Sequence, residues 1–184
     1  MEIYLVRHTK PLIGKDICYG QTDVPVDETI FEQSANDILS VLLEKADAIY
    51  SSPLIRCSVL AQYLQQKKYP SLDIHYNNLL MELNFGEWEN KKWNDIPKSH
   101  LDKWMNDFVN EPVPGGESFS QLHQRTQKFI EDVSKKAHSS VIIVSHAGVI
   151  RSATSHIQQT ALKDAFAISY EYGCVNIFEI GKYL

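Results

Sequence analysis

"VIIVSHAGVIR", residues 141–151, decides the fold. Four β-branched apolar residues run into Ser145 and His146, and the small residues Ala147 and Gly148 then open a helix. A run this short and this apolar suits a strand covered on both faces of a parallel sheet. "IYLVRH", residues 3–8, ends the same way, with an apolar strand over residues 3–6 passing into Arg7 and His8. In open α/β sheets, ligands bind outside the carboxyl ends of the strands. If these two strands are neighbours, both imidazoles reach one crevice.

Between the two strands, residues 12–28 read as a loop with Gly14, Gly20 and Pro25. Ala35, Ile38, Leu39, Leu42, Leu43 and Ala46 recur at three- and four-residue steps, which predicts a helix over 30–45. A short strand follows at 48–50. Ser52 and Pro53 supply a hydroxyl cap and a first-turn proline for a helix over 53–66. A weak third strand is expected at 72–76, and "LLMELNFGEWENKKW" opens a polar, helical insertion reaching Asn110. "PVPGGES", residues 112–118, is a turn before a helix over 119–136 with Leu122, Phe129, Ile130 and Val133 on one face. The last strand is predicted at 175–180. Strands alternating with helices imply a three-layer α/β/α sandwich with a mostly parallel central sheet. One domain is expected over residues 1–184, with a small cap-like insertion at about 86–114.

The bulk composition sets the bounds. A chain of 184 residues buries roughly 70% of its unfolded surface, enough for a core without staples. A formal charge of −5 speaks against a broad nucleic-acid or anionic-membrane surface and leaves room for a small cationic pocket. Cys18, Cys57 and Cys174 are far apart and form no CxxC pair, which suggests a reducing cytoplasm. The apolar run before Arg7 is too short for a signal-peptide core. No stretch approaches the roughly 20 apolar residues of a membrane span. The seven histidines show no HxH or HxxH spacing, so no metal centre is expected.

The chemistry follows from charge and position. Arg56 falls in the first turn of its predicted helix, where free backbone amides already attract anions. Arg7 and Arg56 together carry a charge that balances a phosphate monoester, roughly −1.5 to −2 at neutral pH. Read singly, each arginine is equally a surface ion-pair partner, and each histidine equally a hydrogen-bonded core residue.

"LVRHTKP", "SSPLIRCSVLA", "MELNFGEWENKKW", "PGGES" and "VSHAGVIR" occur in an order that resembles the histidine phosphatase, or phosphoglycerate mutase-like, family. The resemblance implies the phosphoglycerate mutase-like α/β fold and a metal-free phosphomonoester hydrolase that uses no cofactor. His8 then matches the nucleophile that is phosphorylated during turnover. Arg7, Arg56 and His146 match the pocket for the phosphoryl oxygens, and Glu82 the proton donor to the leaving group. Ala147 matches a position whose backbone amide faces the phosphate, and Lys10 and Gln21 are further candidates for substrate binding. For His8 to attack, one ring nitrogen must be unprotonated, and the other should donate to a backbone carbonyl.

The chain departs from the family pattern at five points: Thr9, Lys10, Gly14, Ile30 and Asn90 stand where many relatives carry other residues. Lys10 adds positive charge near the pocket, and Gly14 removes an asparagine that mutase-like members use for phosphate. The modest length between Glu82 and His146 favours hydrolysis over mutase chemistry. Within the family the chain is most similar to the alpha-ribazole phosphatases, which implies alpha-ribazole 5′-phosphate as the small phosphorylated metabolite. A broad or sugar-phosphate phosphatase, a phosphoglycerate mutase and a non-catalytic phosphate-binding domain remain alternatives. Trp88 and Trp93 either stack on a planar base or pack within the cap, and Phe85 is expected to anchor the loop presenting Glu82.

Overall fold

The apolar run at 141–144 lies inside β4 (Ser140–Ser145), every residue of which is buried. β4 has β1 (Glu2–Arg7) on one side and β2 (Ala48–Ser51) on the other, both parallel to it. β3 (Ile74–Tyr76) extends the sheet beyond β2, and β5 (Val175–Glu179) closes the other edge antiparallel to β1. The order is β3-β2-β4-β1-β5 in this computed structural model, which describes residues 1–181. Residues 182–184, the last three of the expected domain, lie outside the described residues.

Successive side chains on a strand point to opposite faces, and here the alternation sorts the core in two. Ile3, Leu5, Val141 and Ile143 face α4 (Phe119–Ser134) and α5 (Ala147–Gln158) through Leu122, Phe129, Val149 and Ala153. Tyr4, Val6, Ile142 and Val144 face α1 (Glu28–Val41) and α2 (Ile55–Lys68) through Ala35, Ile38, Leu60 and Leu64. The three-layer, mostly parallel sandwich expected from the sequence is present.

Several boundaries differ for identifiable reasons. The first helix starts at Glu28, because the Asp27 carboxylate caps it. It stops at Val41, where Lys68 of α2 donates to the Leu39 and Leu42 carbonyls (3.3 and 2.8 Å) and takes over the terminal acceptors. The second helix begins at Ile55 rather than Pro53. Its first amide donates to Asp23 Oδ1 (2.6 Å) in the 12–28 loop, whereas Ser52 Oγ accepts from the Leu54 amide (3.3 Å), one residue before the helix. The third strand spans only Ile74–Tyr76. The insertion is less helical than expected. It holds single 3₁₀ turns at Gly86–Trp88 and Trp93–Asp95 and one nine-residue helix, α3 (Lys98–Asn106), which begins after Pro97. Trp88, Ile96 and Val113 give it a small core of its own, shared with Cys18 from the 12–28 loop. A 3₁₀ segment at Leu162–Ala167, which the periodicity does not predict, leads to the loop before β5.

Candidate active site

Arg7 and Ser145 are paired in register on β1 and β4, so the next residue of each strand brings His8 and His146 side by side. Their ring centroids are 5.1 Å apart with the planes at 61°. His8 Nδ1 lies 2.7 Å from the Thr9 carbonyl oxygen. A carbonyl only accepts, so Nδ1 carries the hydrogen and Nε2 keeps its lone pair. Burial, then the Arg56 charge and more weakly that of Arg7, hold the His8 pKa well below the ordinary imidazole range, against a smaller opposing effect of the Thr9 bond. His146 is held low as well, by burial first and then by Arg56 and His8. Its Nε2 meets Ser52 Oγ at 2.9 Å, and Cys57 Sγ packs against the ring. Burial pushes the Cys57 thiol up, so it stays protonated and does not compete as a nucleophile.

Arg56 is wholly buried, at 0% exposure, on the first turn of α2. Its guanidinium donates to the carbonyls of Thr22 (2.9 Å) and Gly20 (2.6 Å), and its Nε has no partner. Arg7 donates to the Tyr170 carbonyl, lies 3.8 Å from the centre of the Tyr172 ring, and also leaves Nε unpaired. Neither arginine is in an ion pair among the described residues. Holding a buried cation without a counter-charge costs several kcal/mol. Arg56 bears that cost in full and Arg7, which is partly buried, in part, and both lie beside a neutral imidazole.

The loop that supplies the Gly20 and Thr22 carbonyls is held by Glu89. Its carboxylate accepts from the amides of Gln21 (2.8 Å), Thr22 (2.5 Å) and Phe85 (3.1 Å) and from the Thr22 hydroxyl (2.5 Å). Glu82 arrives from the other side. Its Oε1 accepts from the Leu83 amide (2.8 Å) and its Oε2 from the Gly148 amide (3.2 Å), two residues past His146. A Cβ at position 148 would overlap Glu82 Oε1, so glycine there is a condition for the carboxylate's position.

A cavity of about 510 Å³ adjoins this cluster; its lining includes Lys10, Tyr19, Glu82, Phe85, Trp93 and Tyr172. Tyr19 and Tyr172 line this cavity and lie against the cluster. Their hydroxyls are hydrogen-bonded at 2.9 Å, the Tyr172 ring lies 5.6 Å from the His8 ring, and the Arg56 guanidinium lies 5.3 Å from the Tyr19 ring.

Of the residues singled out from sequence, Arg7, His8, Arg56, Glu82 and His146 converge, and Ala147 begins α5 directly beside them. Lys10 lines the cavity, but its ammonium pairs with Asp27 at 3.0 Å, so its charge is already partly neutralised. The Gln21 side-chain amide donates to the Glu82 carbonyl (2.9 Å) and steadies that loop. Gly14 is on the cavity wall. Trp88 is core, edge-on to Trp104 at 5.8 Å, whereas Trp93 faces the cavity. Phe85 packs on Trp93 and also lines the cavity. The sequence reading missed Tyr19, Tyr172, Glu89, Glu117 and Arg125. One signal was available for the tyrosines: each precedes a glycine of positive φ, Gly20 and Gly173, in a loop between elements. Among the described residues no three His, Cys, Asp or Glu side chains are grouped to hold a metal ion, and no helix is long and apolar enough to cross a membrane. The three cysteines are unpaired.

Comparison with known proteins bears on the whole chain. A family model described as histidine phosphatase superfamily (branch 1) matches residues 3–183. Phosphoserine phosphatase 1 of Hydrogenobacter thermophilus is 30% identical over 161 residues, 83% of this chain and 74% of that one. The adenosylcobalamin/alpha-ribazole phosphatase of Escherichia coli is 25% identical over 189 residues, covering 99% and 91%. The crystal structure of the alpha-ribazole phosphatase from Shigella flexneri superposes with a TM-score of 0.88 at 24% identity, over 98% of this chain and 91% of that one, a likeness of fold.

Proposed function

The chain belongs to the histidine phosphatase superfamily, and on that premise we propose that it is a cytoplasmic phosphomonoesterase that works through a phosphohistidine on His8 and needs no metal. The observation that carries this reading is the His8 hydrogen bond: Nδ1 is tied to the Thr9 carbonyl and Nε2 is left with its lone pair. In the first step Nε2 attacks phosphorus, the ester P–O bond breaks, and Glu82 gives its proton to the departing alkoxide. The phosphorylated ring is cationic, and the Nδ1–H bond to Thr9 holds it in place. Arg7, Arg56 and the His146 side chain surround the equatorial oxygens, where charge spreads in the transition state. In the second step water attacks phosphorus, the Glu82 carboxylate takes its proton, and the P–N bond breaks to return the lone pair to Nε2. Residues 86–114 serve as the cap.

For the alcohol half of the ester we favour alpha-ribazole 5′-phosphate, placing the enzyme in cobalamin nucleotide-loop assembly. A cavity of about 510 Å³ walled by Tyr19, Phe85, Trp93 and Tyr172 suits a planar, largely apolar leaving group. Phosphoserine is the second reading, favoured by the 30% identical relative and by Lys10 and Lys15 on the same wall. Two measurements test the proposal. With chelator present throughout, labelled substrate should leave an acid-labile phosphoprotein on the wild type and none on His8→Ala; an undiminished signal in that variant identifies another nucleophile. The kcat/KM for alpha-ribazole 5′-phosphate should exceed those for phosphoserine and 3-phosphoglycerate by about tenfold or more, ~1.4 kcal/mol of transition-state binding. A reversed order assigns the phosphoserine or mutase reading.

A further inference from the structure

Glu82 sits on a stretch with no regular structure of its own, between a 3₁₀ turn at Asn78–Leu80 and another at Gly86–Trp88. A general acid must be held within hydrogen-bond reach of the atom it protonates, and an irregular segment does not do this unaided. The holding group is on α4. Arg125 Nη1 donates to the carbonyls of Leu79 (2.8 Å) and Met81 (2.6 Å), and its Nη2 to the carbonyl of Glu82 (3.0 Å). The same guanidinium makes a two-point contact with Glu117, Nη2 to Oε1 at 2.5 Å and Nε to Oε2 at 3.1 Å. Glu117 in turn accepts from the Asn84 amide (2.9 Å), and its own amide donates to the Asn84 carbonyl (2.9 Å). Both side chains are about five-sixths buried, at 16% exposure each.

One planar fork therefore spans residues 79–84 on both sides of Glu82. We propose that Arg125, seated by Glu117, is the positioning residue for the Glu82 carboxylate and so sets how well the enzyme turns over esters whose leaving groups need a proton. The inference rests on Glu82 being the proton donor. Lysine cannot replace the fork, because one ammonium on a flexible stem lacks the planar donors that reach three carbonyls and a carboxylate together.

The test compares kcat/KM for an alkyl phosphate, whose alkoxide must be protonated, with that for p-nitrophenyl phosphate, whose phenolate leaves without help. This ratio reports events up to phosphoryl transfer to His8, so dephosphorylation does not mask it. Arg125→Lys and Glu117→Gln should each lower the alkyl value about tenfold and the aryl value less than about threefold, the selectivity expected of Glu82→Gln. Added guanidine should restore the alkyl value of Arg125→Ala. Equal losses on both esters, or no loss, in the two variants while Glu82→Gln remains selective overturn the positioning role and leave the donor intact. A non-selective Glu82→Gln overturns the donor assignment and this inference with it. Guanidine that restores nothing to a folded Arg125→Ala also counts against the clamp.

Discussion

At the scale of single residues, the tyrosine pair is expected to limit what His8 can meet. His8 is 2% exposed, and Arg56 and His146 are at 0%. Tyr172 lies on Arg7 and His8 while its hydroxyl holds that of Tyr19. If a phosphoryl group reaches Nε2 past these two rings, the bond between their hydroxyls opposes their parting. A neutral hydrogen bond of this kind contributes about 0.5–1.5 kcal/mol net. Tyr19→Phe and Tyr172→Phe keep both rings and remove the bond. Each should speed the onset of inhibition by orthovanadate about two- to tenfold, read in a stopped-flow assay. Because either substitution removes the same bond, the double variant should match the singles and not multiply them. Multiplicative effects would show that the hydroxyls act separately. The meeting of Arg7, His8, Arg56 and His146 was legible in the sequence because they stand at strand ends and a helix start, where local pattern fixes position, whereas Glu82 lies on an irregular stretch between two 3₁₀ turns and was legible only through the family resemblance. The tyrosines act across 153 positions of sequence, and no local pattern encodes such a meeting.

At the scale of elements, the same contrast runs through the helix boundaries. The central strands were readable because their apolar runs follow from burial on both faces. The start of α2 was not, although Ser52–Pro53 fits the rule for a capped helix. Ser52 Oγ accepts from the Leu54 amide and also meets His146, while Asp23, 32 positions upstream of Ile55, takes the first helix amide. A cap that comes from a distant loop ties that loop to the helix carrying Arg56. Asp23→Ala should therefore lower stability by about 0.5–2 kcal/mol, measured by urea denaturation, with Asp23→Asn losing much less. An unchanged midpoint in Asp23→Ala would mean that water serves the Ile55 amide equally well. The insertion was misread for a related reason. Its polar composition suggests helix, but Trp88, Phe85 and Trp104 pack against one another and against Cys18, and that contact keeps most of the segment in single turns.

At the scale of the whole molecule, a chain of net charge −5 concentrates two unpaired arginines and two neutral imidazoles at one end of its sheet. That arrangement makes stability depend on pH. Burial holds His8 and His146 well below the unfolded value of 6.5, and His123, half-buried and bonded to Ser152, is lowered too. Between the folded and unfolded pKa values the unfolded chain binds more protons, so stability rises with pH. The contribution is complete above about pH 6.5 and is lost as pH falls below it. Each histidine adds a slope of up to about 1.4 kcal/mol per pH unit. Asp27 and Asp47 act outside this window: their hydrogen bonds lower their pKa values below 3.8, and their contributions are lost only in stronger acid. Urea denaturation from pH 7 to pH 5 should show a steep fall for the wild type. His146→Gln, which keeps a hydrogen-bonding side chain without the titration, should show a slope shallower by about one proton, whatever its stability at pH 7. Equal slopes in the two proteins would mean that His146 binds its proton in the fold as readily as in the unfolded chain, and that the cluster is more open to water than its burial implies.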